Sequence, residues 1–165
     1  MDKNFIKRLY QSHQTCPTCP APSEVSAFYV ELLGALFADF AQLSALSESE
    51  FEQLWLRLER ELERILRHNP TRGTANPATL GEMFFNRLPA IYDLLELDIA
   101  ATYEGDPAAK SREEVVRTYP GFYAIAAYRI AHQLHVLGVA EIPRIITEHA
   151  HSKTGNATTS IKSIK

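Results

Sequence analysis

Residues Ser47 to Arg67 read SESEFEQLWLRLERELERILR. Phe51, Leu54, Trp55, Leu58, Leu62, Ile65 and Leu66 recur at the three- and four-residue spacing that lays side chains on one face of an α-helix. The remaining positions are mostly Glu and Arg, a solvated face. Glu63 before Arg67 has the favourable i,i+4 order, worth about 0.2–0.5 kcal/mol. Ser47 with Glu50, or Ser49 with Glu52, offers a capping box at the start. A period of 3.6 and the absence of strict alternation fix this stretch as helix.

The same period governs the flanks. Val25, Phe28, Tyr29, Leu32, Leu33 and Leu36 mark one face of a helix over Ser23–Phe37. Residues His68 to Pro77 are rich in Asn, Pro, Thr and Gly and read as a loop. Asn76-Pro77 reads as an N-cap followed by Pro at the first helical position. Leu80, Met83, Phe84, Leu88, Ile91, Leu94 and Leu95 continue a core face, which Pro89 is predicted to kink or split because it lacks an N–H. Asp106-Pro107 ends that segment. Ser111 with Glu114 opens a short helix that Pro120-Gly121 stops, and Phe122–Leu137 is an amphipathic helix with Gly138 as its C-terminal glycine. Pro143 opens a last helix, closed by Gly155. No useful β-alternation or internal repeat occurs. The expected fold is all-α, a bundle of about six to eight helices with several interrupted at Pro. Three parts are expected: 1–22, a short helix plus a Cys/Pro loop; 23–155, the helical domain; and 156–165, a polar tail.

The totals narrow the function classes. At 165 residues, 45% hydrophobic and 22% charged, the chain has the size and composition of one soluble domain able to bury a core. A net charge of −3 gives no global attraction to nucleic acid or anionic lipid. No apolar run approaches the ~18 residues of a membrane span, and no signal-peptide core opens the chain. Two cysteines are too few for a disulfide framework, and a cytoplasmic location is expected.

Three pieces between Asp98 and Gly155 carry a family resemblance. They are Asp98-Ile99, Ala101 and Asp106-Pro107-Ala108; then Tyr119-Pro120-Gly121-Phe122 with Ala124-Ile125; then Tyr128-Arg129-Ile130-Ala131-His132 with Leu134 and Gly138. Lys153-Thr154-Gly155 follows. In this order they resemble the N-terminal helical domain of bacterial serine O-acetyltransferases. The resemblance implies acetyl transfer from acetyl-CoA to L-serine, giving O-acetylserine for cysteine biosynthesis. It also implies that catalysis belongs to a left-handed β-helix, whose histidines act as general base because a hydroxyl is a poor nucleophile at neutral pH. In relatives that β-helix follows the helical domain. After Gly155 this sequence reads NATTSIKSIK instead, so a chain cut before the catalytic part, inactive alone, with no catalytic residue and no bound cofactor of its own, is expected. The domain would serve oligomer assembly, trimers pairing into hexamers, and form one wall of the serine site.

By the same resemblance Asp106 is the substrate-binding candidate, its carboxylate suited to the ammonium group of serine or of the inhibitor cysteine. Gly105 stands where many relatives have Arg. Read from its neighbours alone, Asp106 before Pro107 is also a good helix N-cap, and both readings stay open.

Other constellations have blander readings. Cys16-Pro-Thr-Cys19 is a lone C-x-x-C without two further zinc ligands or a βαβ context, so an incidental pair is expected. His132 and His135 on one helix and His149 and His151 on the next, beside Glu148, could converge on a metal if the two helices pack antiparallel, but His132 belongs to the motif of the resemblance, where it is read as helix packing rather than ligation. Tyr119, Phe122, Tyr123 and Tyr128 lack the interleaved Lys and Arg of a nucleic-acid platform and are read as core and subunit contact. No metal, nucleic-acid or membrane partner is expected. The alternative function is a stand-alone helical interaction module that co-assembles with full-length subunits.

Overall fold

The structure is a computed structural model that describes residues 1–15, 19–41, 43, 46–69 and 75–155. Cys16 and the tail 156–165 lie outside the described residues. The chain forms eight α-helices there: α1 (Lys3–Thr15), α2 (Pro22–Leu36), α3 (Glu48–Arg67), α4 (Pro77–Phe85), α5 (Leu88–Gly105), α6 (Arg112–Thr118), α7 (Pro120–Val136) and α8 (Ile142–Thr154). A 3₁₀ turn, Ala38–Phe40, follows α2. The described fold is all-α, and no described helix is long and apolar enough to cross a membrane.

Local chemistry sets the boundaries. Ser47, not Ser49, caps α3: its Oγ accepts the Glu50 N–H at 3.3 Å, and its own N–H donates to Glu50 Oε2 at 2.8 Å. Asn76 caps α4 through the Ala78 N–H at 2.9 Å. Pro89 splits the predicted long segment rather than kinking it. α4 ends at Phe85, a turn follows, and Pro89 sits in the first turn of α5, where its missing N–H costs nothing. Pro120 departs from expectation. It does not merely stop α6 but opens α7, with Gly121 inside the helix. Ser111 accepts the Glu114 N–H at 3.1 Å, but Glu114 Oε2 takes the Lys110 N–H at 2.6 Å, so only half of the expected box forms. Gly138, at φ +79°, completes a Schellman ending: its N–H reaches His135 O at 2.9 Å and the Val139 N–H reaches Leu134 O at 3.0 Å.

The core joins the inner faces of α2 to α8, with Phe28, Leu32, Leu58, Leu62, Phe84, Leu95, Ile99, Phe122, Ile130 and Ile146 among its fully buried members. Each such side chain contributes about 1.5–3 kcal/mol of burial. α7 packs most extensively on α8, α3 on α4, and α5 on both α6 and α7. Ala126, Ala127 and Ala131 of α7 and Ala150 of α8 are all fully buried, and such small side chains allow close approach. The α7–α8 connection contains the one non-glycine residue with positive φ among those described, Glu141 at φ 63°, ψ −54°. The Ile142 N–H bonds Ala140 O at 2.7 Å across it, a γ-turn of the strained hand. Asn69, buried at the end of α3, donates from Nδ2 to that same Ala140 carbonyl at 3.0 Å.

Candidate functional site

The site sits where α5 runs out. Asp106 is the C-cap of α5, its N–H bonded to Thr102 O at 3.1 Å. Asp106-Pro107-Ala108-Ala109 then forms a β-turn closed by the Ala109 N–H on Asp106 O at 3.0 Å, with Asp at the first position and Pro at the second. Asp106 Oδ1 accepts the Ala108 N–H at 2.9 Å, an Asx turn. The N-cap reading is thereby corrected: no helix begins at Pro107, and α6 starts later, under Ser111.

The second carboxylate oxygen has a partner the sequence did not reveal. Tyr119 Oη, at the junction of α6 and α7, donates to Asp106 Oδ2 at 2.8 Å. The Ala108 N–H, and after it the Tyr119 hydroxyl, hold the Asp106 carboxyl below its usual range. The same bond raises the Tyr119 phenol. At neutral pH Asp106 is thus a fixed, part-exposed carboxylate with one partner on each oxygen and lone pairs left to accept from a cation.

Two forked ion pairs hold this corner. Arg129 on α7 donates from Nε to Asp98 Oδ2 at 2.5 Å and from Nη2 to Asp98 Oδ1 at 2.8 Å. Arg112 on α6 grips Glu96 on α5 in the same bidentate way, its Nε on Oε2 at 3.2 Å and its Nη2 on Oε1. Each guanidinium is pushed up, first by the hydrogen bond to its carboxylate. Asp98 and Arg129 lie in separate pieces of the sequence resemblance, and the fold joins them. Together the two pairs fix α5 against α6 and α7 and so fix the turn that carries Asp106.

The remaining candidates scatter. Cys19 is exposed and free, and its sequence partner Cys16 lies outside the described residues. His132 stacks on Tyr128 at 5.6 Å between ring centres. His149 lies edge-on to Tyr29 at 6.2 Å, and its Nε2 is buried with no hydrogen-bond partner. Although α7 and α8 pack together, no three His, Cys, Asp or Glu residues converge among those described. Phe122 is in the core, and Tyr123 packs on Tyr29 and Phe40, as read from the sequence.

No protein-family model matches the chain. Curated relatives and solved structures do. The chain is 38% identical over 122 residues to a plasmid-borne serine acetyltransferase of Synechococcus elongatus, covering 68% of this chain and 35% of that protein. It is 41% identical over 64 residues to a serine acetyltransferase of Bacillus pumilus, covering 39% of this chain and 30% of the relative. In fold it is similar to Entamoeba histolytica serine acetyltransferase 1 in complex with L-cysteine, with TM-score 0.62 and 28% identity over 77% of this chain and 47% of that one. The cysteine complex of isoform 3 from the same organism gives TM-score 0.59 and 27% identity over 90% of this chain and 55% of that one. The chain spans about a third of the length of the curated relatives it matches.

Proposed function

We propose, from the homology of this chain to the helical N-terminal region of serine acetyltransferases, that it is the corresponding part of an enzyme that moves an acetyl group from acetyl-CoA to the hydroxyl of L-serine. The product would be O-acetylserine, and L-cysteine would compete with serine for the site. The helical part supplies one wall of the amino-acid site and contacts between subunits. Asp106 is the wall's polar group: its ionised carboxylate accepts from the ammonium of the amino acid. The observation that carries this reading is the turn that presents Asp106, with Ala108 and Tyr119 each holding one oxygen. A carboxylate so held needs no rearrangement to receive a cation, and a charge-assisted bond is about twice as strong as a neutral one. Deprotonation of the serine hydroxyl and the seat of acetyl-CoA belong to the β-helical part of such enzymes, not to the helical part.

Coenzyme A release tests the proposal. A polypeptide of residues 1–165, given serine and acetyl-CoA, is expected to release none. Residues 1–155 joined to the remainder of the Synechococcus elongatus plasmid enzyme should release it. In that protein Asp106→Asn should raise the serine KM about tenfold or more and leave the acetyl-CoA KM unchanged, since it removes one charged hydrogen bond. Equal effects on both substrates, or none, would sink the assignment of Asp106. Turnover by residues 1–165 alone would sink the division of labour.

A further inference from the structure

Two apolar surfaces of the described chain lack a cover. The first is α1, which buries none of its residues. Phe5, Ile6, Leu9 and Tyr10 are 45%, 47%, 46% and 63% exposed. Phe5 with Leu9 and Ile6 with Tyr10 are i,i+4 pairs, so the four make one stripe. Lys7 and Arg8 lie on the other side, Lys3 borders the stripe beside Tyr10, and α1 contains no acidic residue, although Asp2 accepts the Asn4 N–H just before it. The second surface is an open groove of about 520 Å³. Its walls are Leu36 at the end of α2, Phe51 and Trp55 on α3, and Pro89 and Tyr92 on α5.

The two surfaces are complementary in charge. Asp93 stands in the groove wall, and on α3 the exposed Glu50 and Glu52 flank Phe51 in sequence, with exposed Glu48 one turn before it. Two bases lie close by: Arg87, which precedes Leu88 at the start of α5, and Arg112, which acts on Tyr92 but is paired with Glu96. The whole chain carries a net charge of −3 although α1 is basic, so the body of the molecule is acidic. An anionic lipid surface would attract α1 but repel that body. An aromatic groove with Asp93 in its wall and glutamates beside Phe51 on α3 suits both the apolar stripe and the bases of α1.

We propose that this groove receives α1 of a second copy of the chain, in a two-fold exchange in which each copy gives its helix and accepts the other's. The mode is an amphipathic helix laid in a groove. A two-fold exchange makes the contact twice, which a four-residue face needs to approach the ~1,200 Å² of total area that stable interfaces bury. The inference names segments for the self-association proposed above and so rests on that reading, yet it can fail while that reading stands.

Because α1 contributes no side chain to the core, residues 19–165 retain every buried contact described here. Trp55 is the single tryptophan of the chain, so its emission reports on the groove. Sedimentation velocity should show residues 1–165 as a concentration-dependent dimer and residues 19–165 as a monomer. Leu9→Glu should weaken the dimer about tenfold or more, the cost of losing one buried leucine. A peptide of residues 1–15 should bind residues 19–165 and shift Trp55 emission to the blue. Dimers that persist in residues 19–165 would overturn the exchange while leaving self-association intact. A Trp55 shift on removing α1 with no change in mass would overturn it in favour of the chain's own helix. Residues 1–165 that stay monomeric and bind phosphatidylserine vesicles through α1 would overturn it in favour of a membrane surface.

Discussion

Asp106 was visible in the sequence as a carboxylate beside a proline, and its position in the resemblance singled it out. Its chemistry was not visible, because the hydroxyl that fixes it comes from Tyr119, thirteen residues on and past a whole helix. Local spacing cannot report a bond made by the return of the chain. Tyr119→Phe removes that donor while keeping the ring. The Asp106 pKa should then move up toward the ordinary carboxylate value, read from its side-chain carbonyl carbon in an NMR titration of residues 1–165. The sign follows from the depressed pKa: whatever the Asp106 contacts contribute is present above about pH 4, the unfolded value, and fades as pH falls through the folded value. An unchanged titration would mean that Ala108 alone holds the carboxylate. His149 offers a second pH test. Burial, and then Lys153, depress its pKa, and Nε2 has no partner. Tyr29 faces the ring, while Glu141, Arg144 and Glu148 line the same cavity. Below about pH 6.5 the unfolded chain takes up a proton that the folded chain refuses, so stability falls as pH drops from there toward the folded value. His149→Leu should flatten that fall in urea melts at pH 7 and pH 5. An equal fall in both proteins would assign the effect elsewhere.

Helices were legible where their grammar is local. Ser47 with Glu50, Asn76-Pro77 and Gly138 each did in the structure what the sequence implied, because capping needs partners only one turn away. Prolines were harder to read. Pro120 looks like a stop from upstream and is a start from downstream, and only the geometry of α6 and α7 decides. The box at Ser111 formed only by half because Glu114 Oε2 accepts the Lys110 N–H. Gly138 allows a direct test of one such signal. A Cβ added there would meet no atom within 4 Å, so Gly138→Ala costs only the left-handed backbone, about 1 kcal/mol. Differential scanning calorimetry should show a lower Tm for Gly138→Ala and a smaller drop for Gly138→Asn, which tolerates that conformation better. Equal drops would point to something other than backbone preference.

The all-α arrangement follows from periodicity, but the pairing of helices does not. Nothing in the spacing said that Asp98 of α5 would meet Arg129 of α7, although both stood out in the resemblance. Arg129→Lys keeps the charge and loses the fork. It should cost about 1 kcal/mol, visible as a lower urea midpoint with an unchanged m-value, since a point charge cannot replace two parallel bonds. No change would mean that the pair is cosmetic. Pairings of this kind also couple distant parts of the chain. The Ala140 carbonyl closes the strained turn at Glu141 and accepts the side chain of Asn69 from the far end of α3. One oxygen thus ties the exit of the third helix to the bend between the last two. Deuterium uptake at the Ile142 amide, which shares that oxygen, becomes a clock for the detachment of α3, started by an event some seventy residues earlier in the chain.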